Sequence, residues 1–127
     1  MSQLVESPTK SFEADAAISQ YARVKLDSDG KITVAGLAEK DIGTAQREAF
    51  GAGEWIPVRL RSASGTHKVI VSEALAAGAT IYTEASGKVQ DTAQATAFQW
   101  GTALEAATAD GDIIEALVNT HGDTAAT

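Results

Sequence analysis

Gly101-Thr102-Ala103-Leu104-Glu105-Ala106-Ala107, followed by Gly111-Asp112-Ile113-Ile114, restates an earlier passage of the same chain. Shifted back by 58 residues it becomes Gly43-Thr44-Ala45, then Ala49, then Gly53-Glu54-Trp55-Ile56. Aligned without gaps, residues 43–60 and 101–118 agree at six of eighteen positions, and every match is a glycine, a small residue or an apolar residue apart from one threonine. Working outward, Ser72 to Gly78, Ala79-Thr80-Ile81 and Gly87-Lys88-Val89 find counterparts 57 residues earlier in Asp15 to Tyr21, Ala22-Arg23-Val24 and Gly30-Lys31-Ile32. A duplicated catalytic centre keeps its polar groups. Here Arg47 stands against Glu105 and Arg59 against Leu117, so the duplication is architectural.

The chain has 127 residues, which fits one domain whose two halves share a core rather than two independent ones. With no cysteine there is no disulfide framework, thiolate chemistry or cysteine-based metal site. A net charge of -7 spread along the chain argues against a nucleic-acid partner. No apolar run approaches the roughly 20 residues that span a bilayer, and residues 1–10 lack an apolar signal core, so neither a membrane nor export is expected.

Residues 1–11 read as a polar N-terminal arm whose apolar pair is Leu4 and Val5, residues 12–118 as a single β domain with repeats 12–60 and 69–118, and residues 119–127 as a flexible tail. Alternation in residues 21–26 and 31–35 around Asp27-Ser28-Asp29-Gly30 predicts a hairpin. Residues 54–61 alternate most strongly. Pro57 within them has no N–H to donate, which predicts an edge strand or a free side there. In the second repeat, Ser72-Glu73-Ala74-Leu75-Ala76-Ala77-Gly78 carries an N-cap, helix formers and a terminal glycine, predicting one short helix. A helix is also a possible reading of the alanine-rich residues 93–98. Short strands at 8 to 12 residue spacing, with turns at Gly30, Gly53, Gly87 and Gly111, predict an all-β fold: a compact sandwich or barrel of two similar halves.

Motifs for chemistry do not assemble. Asp27-x-Asp29-Gly30 resembles the start of a calcium loop, but with Gly30 at the sixth position the first is Lys25 and the twelfth is Gly36, where a bidentate glutamate is required, leaving a hairpin turn. Gly51-x-Gly53 lacks the third glycine of a dinucleotide site, and no Gly-x-Ser-x-Gly elbow anchors a triad. His67 and His121 read as surface residues in a link and a tail. No catalytic, cofactor-binding or metal-binding residue is therefore assigned. Of the two tryptophans, Trp100 takes the place of Ile42 and reads as core, whereas Trp55 alternates with Ile56 and reads as a partner or subunit contact.

The order of Glu73 to Gly78, Ile81-Tyr82, Gly87-Lys88-Val89, Gly101 to Ala107 and Gly111 to Ile114 resembles the small capsid decoration, or cement, proteins of tailed bacteriophages, over residues 12–118. The resemblance implies a non-enzymatic virion protein made in the host cytoplasm. It would bind the major capsid protein on the capsid exterior, as a homotrimer, and stabilise the shell. Leu4 and Val5 of the arm are the expected capsid contacts. The alternative is a small β binding module, for carbohydrate or as an adhesin head.

Overall fold

In the computed structural model, residues 7–119 are described. Ten strands fall into two sheets: β1 (Thr9–Glu13), β2 (Arg23–Leu26), β3 (Ile32–Val34), β4 (Gly43–Ala45) and β5 (Trp55–Leu60), then β6 (His67–Ile70), β7 (Thr80–Thr83), β8 (Val89–Gln90), β9 (Gln99–Ala103) and β10 (Ile113–Val118). The first sheet has the order β1-β5-β4-β2-β3 and the second β6-β10-β9-β7-β8, which is the same order five strands on. Each sheet curls until its edges touch. Ala14 makes a parallel bridge to Ile32 in one half, as Val71 does to Val89 in the other, and the antiparallel bridge Ile18–Ala49 returns as Leu75–Ala107. Curling of this kind hides edges that would otherwise pair with other chains.

The registers locate the one-residue slip between repeats. Leu26 pairs with Ile32 and Thr83 with Val89, both shifted by 57, whereas Val24–Gly43 returns as Ile81–Gly101, where the glycine has moved by 58. The extra residue therefore lies between β8 and β9. Residues 93–98 in that connection form no helix. They turn tightly, with the Ala97 amide donating to the Gln94 carbonyl and Thr96 at φ 69°.

Two glycines admit close strand approach. A Cβ on Gly43 would lie 2.1 Å from the Arg59 carbonyl oxygen, and one on Gly101 would lie 1.8 Å from that of Leu117. This explains why the repeat keeps a glycine at that spot. Inside each curl sits an apolar cluster: Val24, Ile32, Ile56 and Val58 among the first, Val69, Ile81, Val89, Trp100 and Ile114 among the second. The expectation of one shared core is corrected accordingly: each half has its own, and Ile70 of β6 packs against the first. A fully buried side chain of this size contributes roughly 1.5–3 kcal/mol.

Three further expectations change. The segment at residues 72–77 is not helical, because the Leu75 amide donates to Ala107 and the Ala107 amide donates back, as Ile18 and Ala49 do in the first half. A helix this short is marginal alone, and cross-strand bonds with burial of Leu75 outcompete it. The only helical turn among the described residues is a 3-10 turn at Ala85–Gly87. Second, the arm reading of residues 1–11 extends too far, since Thr9 to Ser11 belong to β1, paired with β5. Third, of the two readings of Pro57 the edge strand falls, because β5 lies between β1 and β4, while the free side holds. Pro57 sits where pairing toward β4 ends. Its carbonyl accepts from the Gln46 amide, while the Gln46 carbonyl, which Pro57 cannot reach as a donor, accepts from the Gln20 side chain.

Candidate functional site

The outer face of the first sheet divides into a covered part and an open part. Arg23 on β2 and Thr44 on β4 point away from their own core, yet both are fully buried because the second half packs over them. Around Arg23 the two halves are joined. Its Nε donates to the Lys88 carbonyl (2.9 Å) and its Nη2 to the carbonyls of Glu84 (2.6 Å) and Gly36 (3.0 Å), so one side chain ties β2 to the β7–β8 turn 61 to 65 residues away. Asp41 completes the joint. Its carboxylate accepts from Arg23 (3.3 Å), from Arg61 (3.3 Å) and from the Trp100 indole N–H (2.7 Å), with no exposure of its own. Burial pushes the Arg23 guanidinium below its ordinary range, and the Asp41 charge acts against that shift.

His67 lies beside this joint and is buried, correcting its reading as a surface residue. Its Nε2 lies 3.1 Å from the Leu60 carbonyl and its ring meets Trp100 edge-on, with centroids 6.5 Å apart. Burial holds the imidazole below 6.5, favouring the neutral form. Trp100 is buried, with its indole N–H spent on Asp41. His121 lies outside the described residues.

Neither Arg23 nor Asp41 stands out in the sequence. The only trace is in the repeat alignment, where Arg23 faces Thr80 and Asp41 faces Gln99, both exposed. A charged pair in one copy and neutral polar residues in the other is what results when just one copy carries a covered face.

The open part of the outer face carries Trp55, 60% exposed, at the start of β5. Its backbone is fixed by pairing with Glu13 and by the Arg47 guanidinium, which donates to its carbonyl at 2.6 Å. In the loop before it Phe50 is 78% exposed, and Glu54 accepts from the Phe50 and Gly51 amides, so the loop is held by its own carboxylate. Leu4 and Val5 lie outside the described residues.

The turn glycines are equivalent in pairs. Gly53 (φ 93°) donates to Ala14, and Gly111 (φ 95°) donates to Val71, the counterpart of Ala14. Gly30 (φ 78°) closes an exposed hairpin in which Asp27 accepts from the Asp29 and Lys31 amides. Its counterpart Gly87 (φ 74°) is pressed against Ala22, Val34 and the backbone of Arg23. The same turn is thus free in one half and part of the joint in the other.

Among the described residues no three histidine, aspartate or glutamate side chains converge as a metal site. The Arg23 and Asp41 side chains of the charged centre are fully buried. What is presented outward is side-chain surface. No protein-family model and no curated protein sequence matches the chain. Among solved structures it is similar to the head fiber gp8.5 N base in bacteriophage phi29, with a TM-score of 0.69 at 19% identity, covering 87% of this chain and 94% of that one. At that identity the likeness is one of fold.

Proposed function

We propose that this protein is a structural, non-enzymatic component of a bacteriophage virion, which decorates the exterior of an assembled capsid and stabilises it. The observation that carries the reading is the fold shared over nearly the whole chain with a phage head-fiber base. Two features of the chain agree with it. The duplicated β units are locked together by a buried charged joint, which suits a load-bearing part, and the exposed features are apolar and aromatic side chains rather than a reactive centre.

In this reading the partner is the major capsid protein and the working form is a homotrimer, which multiplies weak lattice contacts through effective concentration. Leu4 and Val5 supply apolar contacts to the capsid, the residues before β1 adding a strand to an exposed edge of the capsid protein. Trp55 serves as a subunit or partner contact. No cofactor, nucleic acid or membrane takes part. Purified protein mixed with undecorated capsids and sedimented tests this directly. Saturation at a fixed number of copies per lattice site supports decoration, and glycan binding without capsid binding transfers the fold to the adhesin reading.

A further inference from the structure

His67 occupies a position that the two repeats treat differently. The registers make Lys10 its counterpart, since Lys10 pairs with Val58 and His67 with Ala116. Lys10 is half-buried, with its ammonium 5.4 Å from the centre of the Phe12 ring. His67 is 2% exposed, and groups of the first half close over its ring. The Leu60 carbonyl stands 3.1 Å from its Nε2, and Trp100, which meets the imidazole edge-on, is held in turn by Asp41.

A carbonyl only accepts, so Nε2 carries the hydrogen and Nδ1 the lone pair. Nδ1 is buried without a hydrogen-bond partner. The charges acting on the ring are those of Arg59 and Arg61 of β5 and of Asp41 before β4. His67 also borders a cleft with Tyr21, Lys68, Glu105 and Glu115, whose groups are engaged among themselves. The Lys68 ammonium lies over the Tyr21 ring, Glu115 accepts from the Thr66 hydroxyl, and Glu105 accepts from the Glu115 amide. A second proton on the imidazole would create an Nδ1–H with no acceptor and add a positive charge in the field of two guanidiniums. Both are costly in a buried site and neither is in water. Burial foremost holds the ring neutral, Arg59 and Arg61 add to it, and the Leu60 carbonyl and Asp41 act against it.

The seam between the halves can part without dismantling either one. Each sheet encloses its own apolar cluster, with Ile70 of β6 crossing to the first. Arg23, Asp41 and Arg61 all belong to the first half, so parting returns this charged group to water with its ion pairs intact. We infer that His67 is an acid-operated latch of this seam: a proton taken up at Nδ1 drives the halves apart, where water accepts the new N–H, while each sheet stays folded. Because the closed form keeps the ring neutral, the parted population grows by up to tenfold for each unit of pH below about 6.5.

The chain has no cysteine, so a single thiol reports on one place. Thr44 of β4 is fully buried beneath the second half, whereas its neighbour Ala45 is fully buried within the first cluster. Thr44→Cys and Ala45→Cys proteins are labelled with a pyridyl disulfide, which stays reactive in acid. Each rate is divided by that of the same variant unfolded in urea at the same pH. Between about pH 7.5 and about pH 5 the latch raises the relative rate of Thr44→Cys at least tenfold and leaves Ala45→Cys flat. His67→Gln, whose amide can still donate to Leu60, removes the rise; His67→Phe replaces it in the test if His67→Gln fails to protect Thr44→Cys at neutral pH. No rise in Thr44→Cys, an equal rise in Ala45→Cys, which marks unfolding of the first half, or a rise that survives loss of the imidazole overturns the inference.

Discussion

Replacing Asp41 by asparagine removes one charge from the joint and little volume. The carboxylate is fully buried and accepts from Arg23, Arg61 and the Trp100 indole. In asparagine one of the two oxygens becomes an NH2 group. Whichever way the amide turns, donors face donors, and the Arg23 guanidinium is left in the interior without its counter-charge. Breaking a buried pair by removing one partner costs about 3–5 kcal/mol, far more than the modest net value of the intact pair. Replacing Arg23 instead does not restore balance, because its guanidinium also satisfies carbonyls on both halves. For a chain of this size such a loss corresponds to roughly 10–20 °C in melting temperature. Urea and thermal unfolding followed by tryptophan emission reads it, with Asp110→Ala as the control. Asp110 pairs with Lys88 at 63% exposure, and its loss should stay within about 0.5 kcal/mol. An Asp41→Asn protein less than about 1 kcal/mol below the parent would refute the view that this charge holds the halves together.

Gly101→Ala should cost about 3 kcal/mol or more, because its Cβ would overlap the Leu117 carbonyl and part β9 from β10. Gly111→Val meets no neighbour and should cost only the left-handed backbone strain of about 1–2 kcal/mol, with Gly53→Val matching it; unequal losses for the latter pair would separate the two turns. His67 is held below 6.5 in the fold, so the unfolded chain binds its proton first, and stability falls as pH drops from about 6.5 downward. His67→Phe should flatten that part of the stability profile, and an unchanged slope would show that His67 does not set it. Deleting residues 1–6 should leave the melting transition nearly unchanged and weaken capsid binding tenfold, about 1.4 kcal/mol; equal capsid affinity would move the docking surface elsewhere.

What the sequence discloses here is what repeats. Gly53 and Gly111, Gly43 and Gly101, and the hairpin at Gly30 all appear in the order of residues, because a turn or a close strand approach restricts the choice of residue locally. The β1 strand was hidden by its polarity: Thr9-Lys10-Ser11-Phe12-Glu13 offers a single apolar side chain to the core. Residues 72–77 misled because alanine and an N-cap favour helix locally, whereas the bonds that decide come from Ala107, far along the chain. The joint was illegible for the same reason. Arg23 alternates outward as a solvent-facing residue would, and only the packing of the second half turns that face into an interior.

The claim that the protein cements a shell is tested most directly by heating undecorated capsids with and without saturating protein and following shell disruption by light scattering. A cementing protein raises the temperature of disruption, with the gain reaching a plateau at the stoichiometry of binding. Capsids that break at the same temperature with every site filled would contradict it.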